Sequence, residues 1–211
     1  MSDADPREDY RRLITDIDRF GEALRLRFPS EITCHLGCTG CCQQHLSVFD
    51  IEAANLRDFI RSLDDKRKAR LRAQALATLA REATLTAQDP APSRQFPPDP
   101  ATAVPCPALV DGACAVYDAR PVICRTHGFP LFYADEETDE AFLDVCPLNF
   151  SESDDDLESL TSRDVFDMYL VNLRLADANL ALLAAAAEPI EQIPRRSIAD
   201  IILSATEPYD D

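Results

Sequence analysis

Residues 34–45 read CHLGCTGCCQQH, four cysteines and two histidines in twelve positions, in a chain with eight cysteines and three histidines in all. Three kinds of structure need so many soft ligands: a disulfide scaffold, a metal or iron–sulfur site, or a reactive thiol centre. Cys41 and Cys42 are adjacent, an awkward arrangement for ordinary disulfide pairing. The opening, MSDADPREDYRRL, has no apolar core and no small-residue cleavage site, so no secretory leader is expected. A cytoplasmic, reducing setting is expected instead. There, clustered cysteines act as metal ligands or redox groups before they act as structural disulfides.

Every histidine is tied to a cysteine. His35 follows Cys34, while Cys42-Gln43-Gln44-His45 and Cys124-Arg125-Thr126-His127 are both C-x-x-H. Thiolate with imidazole suits zinc, and thiolates alone suit iron–sulfur clusters. On a helix, Cys34, Cys38, Cys41 and His45 would share one face and Cys42 would point away. Gly37 and Gly40 each cost about 1 kcal/mol there, so a tight loop around the sulfurs is the better expectation. The adjacent pair should not both serve one ion, leaving one for a second metal or as a free thiol. The spacing of Cys34, Cys38 and Cys41 is also that of the radical-SAM cluster motif. Its repeated β/α units and glycine-bearing loops are missing here, so that fold is not expected.

The second group runs CPALVDGACAVYDARPVICRTH and then DVCP, with Cys106, Cys114, Cys124 and Cys146. Cys106 and Cys146 each precede proline, a pairing seen at the end of ferredoxin cysteine runs. Arg120 and Arg125 flank Cys124, where a guanidinium would lower a thiol pKa and offset a cluster's charge. A surface ion pair is the competing use of each arginine. The members of this group are spread over forty residues and need something local to converge on. The two groups are therefore expected to meet in one cysteine-lined core, where metal binding contributes directly to folding.

Abundant alanine and leucine, with few glycines, favour helices joined by rigid connectors. A helix is predicted over 6–28 from Leu13, Ile17, Phe20 and Leu24, stopped by Pro29. Ser47-Val48-Phe49-Asp50 has capping-box form and opens a helix through Leu63, followed by another over 65–87. Residues 88–107 are a proline-rich connector. A hairpin is predicted from Gly128–Ala134 and Ala141–Val145 around an acidic turn. Thr161-Ser162-Arg163-Asp164 introduces a long helix, about 162–187, with Val165, Tyr169, Leu173, Ala176, Leu180 and Leu183 along one face. A short helix is predicted near Ile198–Ser204. The acidic run Ser151–Glu158 lacks the glycine and terminal glutamate of a calcium loop. The expected fold is one mostly α domain over 1–211, its helices packed around a cysteine-rich metal-binding core at about 31–150, with room for one small β-hairpin.

A net charge of −17 argues against a nucleic-acid partner, which demands clustered Lys and Arg, and against anionic lipid. No apolar run approaches the ~20 residues of a membrane span, the longest lying near Leu180–Ala187. The partner left is an unidentified protein or small molecule, with neither nucleic acid nor membrane.

GCTGCC followed by QHLSVFDIEAANL, and then C-P-x-L…G-x-C-x-V-Y-x-x-R-P-x-x-C-R, resembles the YkgJ-type cysteine-cluster family over roughly residues 34–147. That family is described as zinc- or iron-chelating after its CxxCxxCC signature. The resemblance implies that Cys34, Cys38, Cys41, Cys42, Cys106, Cys114, Cys124 and Cys146 bind metal. Cys34 departs from the literal signature, with three residues instead of two before Cys38. Iron, as an iron–sulfur cluster, is the leading expectation and zinc the alternative. The role is structural or redox. The competing readings are a metal-dependent enzyme (an oxidoreductase, or a relative of the flagellin lysine N-methylase) and a zinc-stabilised interaction module. No nucleophile–base pair, phosphate loop or dinucleotide fingerprint names a reaction.

Overall fold

A computed structural model describes residues 5–35, 37–88, 99, 101–135, 140–151, 157–186 and 193–207. The described chain is mostly helical, as expected, with several short strands. It separates into two compact units, the first from residues 1–35 and 122–190, the second from 36–121 and 191–211.

In the first unit, α1 (Pro6–Arg27) begins where Asp5 accepts the Arg7 amide at 3.0 Å and Pro6 needs no amide partner. Its buried stripe, Tyr10, Leu13, Ile17 and Leu24, includes three of the four positions that the apolar spacing marks. Gly21 lies on the same stripe because the Phe129 ring leaves no room: a Cβ there would sit 2.9 Å from Phe129 Cζ. A three-stranded sheet places β4 (Leu131–Asp135) between β5 (Glu140–Asp144), antiparallel, and β6 (Phe166–Asp167), parallel. The β4–β5 pair is the expected hairpin, in register Ala134↔Ala141, while residues 136–139 of its acidic turn lie outside the described residues. Phe166 anchors β6 edge-on against Phe20 and Phe129, with centroids 4.7 and 5.6 Å away.

That anchor changes the long C-terminal helix. Thr161 and Asp164 do bond as a capping pair would: the Asp164 carboxylate accepts from the Thr161 amide at 3.0 Å and hydroxyl at 2.7 Å. They close a turn ahead of β6, however, and α5 (Met168–Ala185) starts later, capped by Asp167, whose Oδ1 accepts the Leu170 amide at 3.2 Å. With Phe166 fixed in the core, Met168, Leu175, Ala178, Asn179 and Leu183 turn inward. Tyr169, Leu173 and Leu180, expected on the buried face, are exposed. Of the predicted face Leu183 is buried and Val165 and Ala176 are half-buried. The expectation of no membrane-length apolar run also needs correction: α5, in which Arg174 and Asp177 carry the charge and Asn172 and Asn179 are polar, is long and apolar enough to span a bilayer by length and composition. Here it packs against α1, with Arg174 2.8 Å from Asp16.

In the second unit, α2 (Asp50–Ser62), α3 (Asp65–Gln88) and α6 (Ile198–Ala205) enclose a core of Val48, Leu56, Ile60, Leu71, Ile201 and Ile202. The α2 cap sits two residues later than the predicted Ser47, because Ser47-Val48 form β1 and pair with β7 (Arg196–Ser197). Glu52 instead accepts the Phe49 amide at 3.0 Å. Of the proline-rich connector, residues 89–98 and 100 lie outside the described residues. Its C-terminal end is held to α3: Arg81 donates to the Ala101 and Ala103 carbonyls, and Thr78 to Pro105 at 2.9 Å.

Asp164 is fully buried and 2.6 Å from the Arg27 guanidinium. Burial works to raise its pKa, but the Thr161 hydrogen bonds and the Arg27 charge outweigh it and hold the carboxyl below its ordinary value. A depressed folded pKa adds stability that is present above the unfolded pKa of about 3.9 and lost as pH falls through the folded one. Asp164→Ala is expected to lower stability by about 1–3 kcal/mol at pH 7. The deficit should shrink at acid pH, and urea melts at pH 7 and in acid check both.

Candidate metal centre

The second unit carries five cysteines. Cys106 opens the run Cys106-Pro107-Ala108-Leu109, in which proline offers no amide and the next two amides donate to the Cys106 sulfur. The chain then forms β2 (Leu109–Val110), a two-residue turn, and β3 (Ala113–Cys114), with Leu109 paired to Cys114. Asp111 and Gly112 make that turn with φ of 52° and 75°, the backbone a tight hairpin requires and Gly tolerates best. The Val116 amide donates to the Cys114 sulfur. Cys41 and Cys42 ride on a 3-10 turn, Gly40–Cys42, which is tied alongside by Cys106 N–H to the Cys42 carbonyl at 2.7 Å and Val104 N–H to Gln43 at 3.2 Å. Cys38, half-buried, precedes this turn.

Three of these thiols, Cys41, Cys106 and Cys114, resist ionisation. Hydrogen bonding to Cys42, then burial, drives the Cys41 pKa far up. Burial pushes Cys106 up to about 11 against the pull of its two amides, and the charges of Cys114 and Cys41 add to it. Burial also raises Cys114, with Val116 and Arg120 opposing. Three sulfurs that feel one another, with amides already aimed at two of them, form an environment where a cation would remove the penalty on the thiolates. Among the described residues, no three Cys, His, Asp or Glu side chains are posed around one point as ligands. A cysteine re-aims its sulfur by a single χ1 rotation between staggered wells, and the donor set, thiols alone, fits zinc or an iron–sulfur cluster.

The remaining cysteines belong to the first unit. Cys34 Sγ accepts a hydrogen bond from Asn149 Nδ2 at 3.3 Å. Asn149 is fully buried, donates to the Gly128 carbonyl, and accepts the Thr33 amide at 2.9 Å. Gly128, four residues after Cys124, lies so close that a Cβ would come within 2.7 Å of Cys34 Sγ. Cys124 sits on the short helix α4 (Val122–Thr126), and Cys146, buried, offers its carbonyl to the Asn149 amide at 2.8 Å. The two sequence groups are each divided between the units: Cys34, Cys124 and Cys146 lie in the first, and Cys38, Cys41, Cys42, Cys106 and Cys114 in the second.

The histidines and arginines divide too. His45 is held by Glu82 at Nδ1, 2.9 Å, and by the Ala199 amide at Nε2, 3.3 Å, so its C-x-x-H spacing serves packing. His35 bonds the Thr33 carbonyl at 2.7 Å. His127 is half-buried, and desolvation lowers its pKa against the opposing pull of Asp144, which keeps the imidazole neutral at pH 7. Arg125 pairs with Asp18 at 2.6 Å. Arg120, expected beside Cys124, stacks on Tyr117 at 3.6 Å and acts on Cys41 and Cys114 instead. Asn149 has no counterpart in the sequence reading, because nothing local marks a buried amide 115 residues from its sulfur.

Residues 33–147 match the CxxCxxCC family, described as "Putative zinc- or iron-chelating domain". No curated protein and no solved structure matches the chain. Since both His45 ring nitrogens hold protein partners, His45→Gln is expected to lower the melting temperature while leaving metal content unchanged. Metal analysis beside a thermal melt checks this. Loss of metal at an unchanged melting temperature would make His45 a ligand.

Proposed function

The chain belongs to the CxxCxxCC family of zinc- or iron-chelating domains, and from that premise we propose that Cys38, Cys41, Cys42, Cys106 and Cys114 hold an iron–sulfur cluster in a structural or redox role. The observation that carries this reading is the set of neighbouring thiols at Cys41, which is exposed, and at the half-buried Cys106 and Cys114, the last two receiving backbone amides. Amide donors stabilise anionic sulfur, and burial makes uncompensated thiolates costly, so the pocket favours a positively charged group. With His45 engaged elsewhere, the local donors are sulfur only, which tilts the choice from zinc towards a cluster. Four thiolates complete either kind of centre, leaving the fifth as a spare or an exchangeable ligand. Arg120 supplies positive charge beside Cys41 and Cys114, where a thiolate-bound cluster carries negative charge.

The bound group would supply electron transfer, or a rigid cross-link where the small hydrophobic core ends. Cys106 and Cys114 pack directly on that core, so loading and folding of this unit should be linked. Anaerobically purified protein is expected to contain iron and acid-labile sulfide and to show a brown visible band. Cys106→Ser is expected to lose the band and melt at lower temperature. Colourless protein with zinc in this centre would replace the cluster by zinc, and protein without either metal would overturn the reading.

A further inference from the structure

The sheet of the first unit ends in a strand that is open to further pairing. β5 (Glu140–Asp144) has β4 on one side, and no strand lies on its outer side among the described residues. All five of its residues are exposed. An outer strand presents a row of backbone donors and acceptors, and proteins that must not pair there blunt it with lysine, proline or a bulge. β5 carries none of these. It reads Glu-Ala-Phe-Leu-Asp, and its register against β4 runs unbroken from Leu131↔Asp144 to Asp135↔Glu140. It shows large apolar groups instead: Phe142 is 58% exposed and Leu143 40%. Side chains alternate along a strand, so these two lie on opposite faces, and an added strand would find an apolar neighbour on each. The Phe142 ring is also held in place, stacked on Tyr133 at 4.8 Å and 12°.

Charge around this edge selects the partner. Between Arg125 and Arg163 the chain has eleven aspartates and glutamates and no lysine or arginine, and Glu140 and Asp144 stand at the two ends of β5. A second copy of β5 laid antiparallel across it, Phe142 opposite Phe142, would set Glu140 against Asp144 at both ends. A parallel copy in register would set each acid against itself. Like charges directly opposite each other destabilise a strand pair, so the edge disfavours its own copy. We propose that β5 is a docking edge for an extended basic segment of another protein, which adds to the sheet as a further strand. Its aliphatic side chains would lie against Phe142 and Leu143, and lysine or arginine four positions apart would lie opposite Glu140 and Asp144. Backbone hydrogen bonds supply the affinity in this mode, and the alternate side chains supply the specificity. The docking edge needs no metal and stands apart from the five-cysteine centre.

The test uses the full chain and a fluorescent peptide with three valines between two lysines, followed by anisotropy at physiological salt. Three further peptides are compared with it. One has glutamate in place of each lysine, and two keep every side chain but carry N-methylated amides at one or the other alternate set of positions. The basic peptide is expected to bind, and the glutamate peptide and at least one methylated peptide to bind at least about tenfold more weakly. Attraction of charge alone would leave the methylated peptides unchanged. Phe142→Lys puts a blunting lysine on the edge and is expected to weaken binding of the basic peptide by at least about tenfold. A thermal melt checks that this variant is folded. No binding of the basic peptide overturns the proposal, and so does equal affinity for both methylated forms or for the folded Phe142→Lys protein. A concentration-dependent dimer that Phe142→Lys abolishes would give the edge to a second copy and overturn it as well.

Discussion

Sulfur crowded beside sulfur sets the terms for the second unit. A thiol taken out of water can stay neutral at little cost, but a thiolate there needs a cation or several donors. In the second unit the cost shows at Cys41, Cys106 and Cys114, whose pKa values all rise, while the amides of Ala108, Leu109 and Val116 are turned toward two of those sulfurs. Donors arranged for an anion that the environment otherwise forbids make sense together once a metal is present. The rest of that unit follows. The Asp111-Gly112 turn places Cys114 opposite Leu109, and the Cys106–Cys42 backbone bond brings the 3-10 turn alongside.

In the first unit an amide side chain, Asn149, donates to the Cys34 sulfur. Asn149 spends its hydrogen bonds on Cys34, Gly128 and Thr33, joining three stretches that lie far apart in sequence. A buried asparagine is stable only with its donors and acceptor satisfied, so its position fixes those stretches tightly. Around it the fold is ordinary packing: α1 against α5, and Phe166 between Phe20 and Phe129. The cysteines of this unit therefore sit on a frame already held by apolar burial and one polar clamp.

What could be read from sequence was what local chemistry decides. Leu13, Ile17 and Leu24 placed α1, and an acidic turn between two segments placed β4 and β5. The Asp-Gly signal of the β2–β3 hairpin was present but unread, because strands of two residues are too short to show a period. The start of α5 was missed because residues 166–167 pair as a strand with Leu131 and Phe132, a contact across thirty-five residues. The two C-x-x-H pairs look alike in sequence. They part only through distant partners, Glu82 and Ala199 around His45. Arg125 was similarly decided by Asp18, 107 positions away. Cysteine identity was legible; how the eight divide was not, since that division follows tertiary contacts and cuts through CHLGCTGCC between Cys34 and Cys38.

The central claim is that these sulfurs are metal ligands. X-ray absorption at the iron and zinc edges of the full-length protein as isolated addresses it most directly. The account predicts first shells dominated by sulfur, with metal–sulfur distances of about 2.3 Å. First shells of oxygen and nitrogen without sulfur would contradict it, because the metal would then be bound somewhere other than the cysteines.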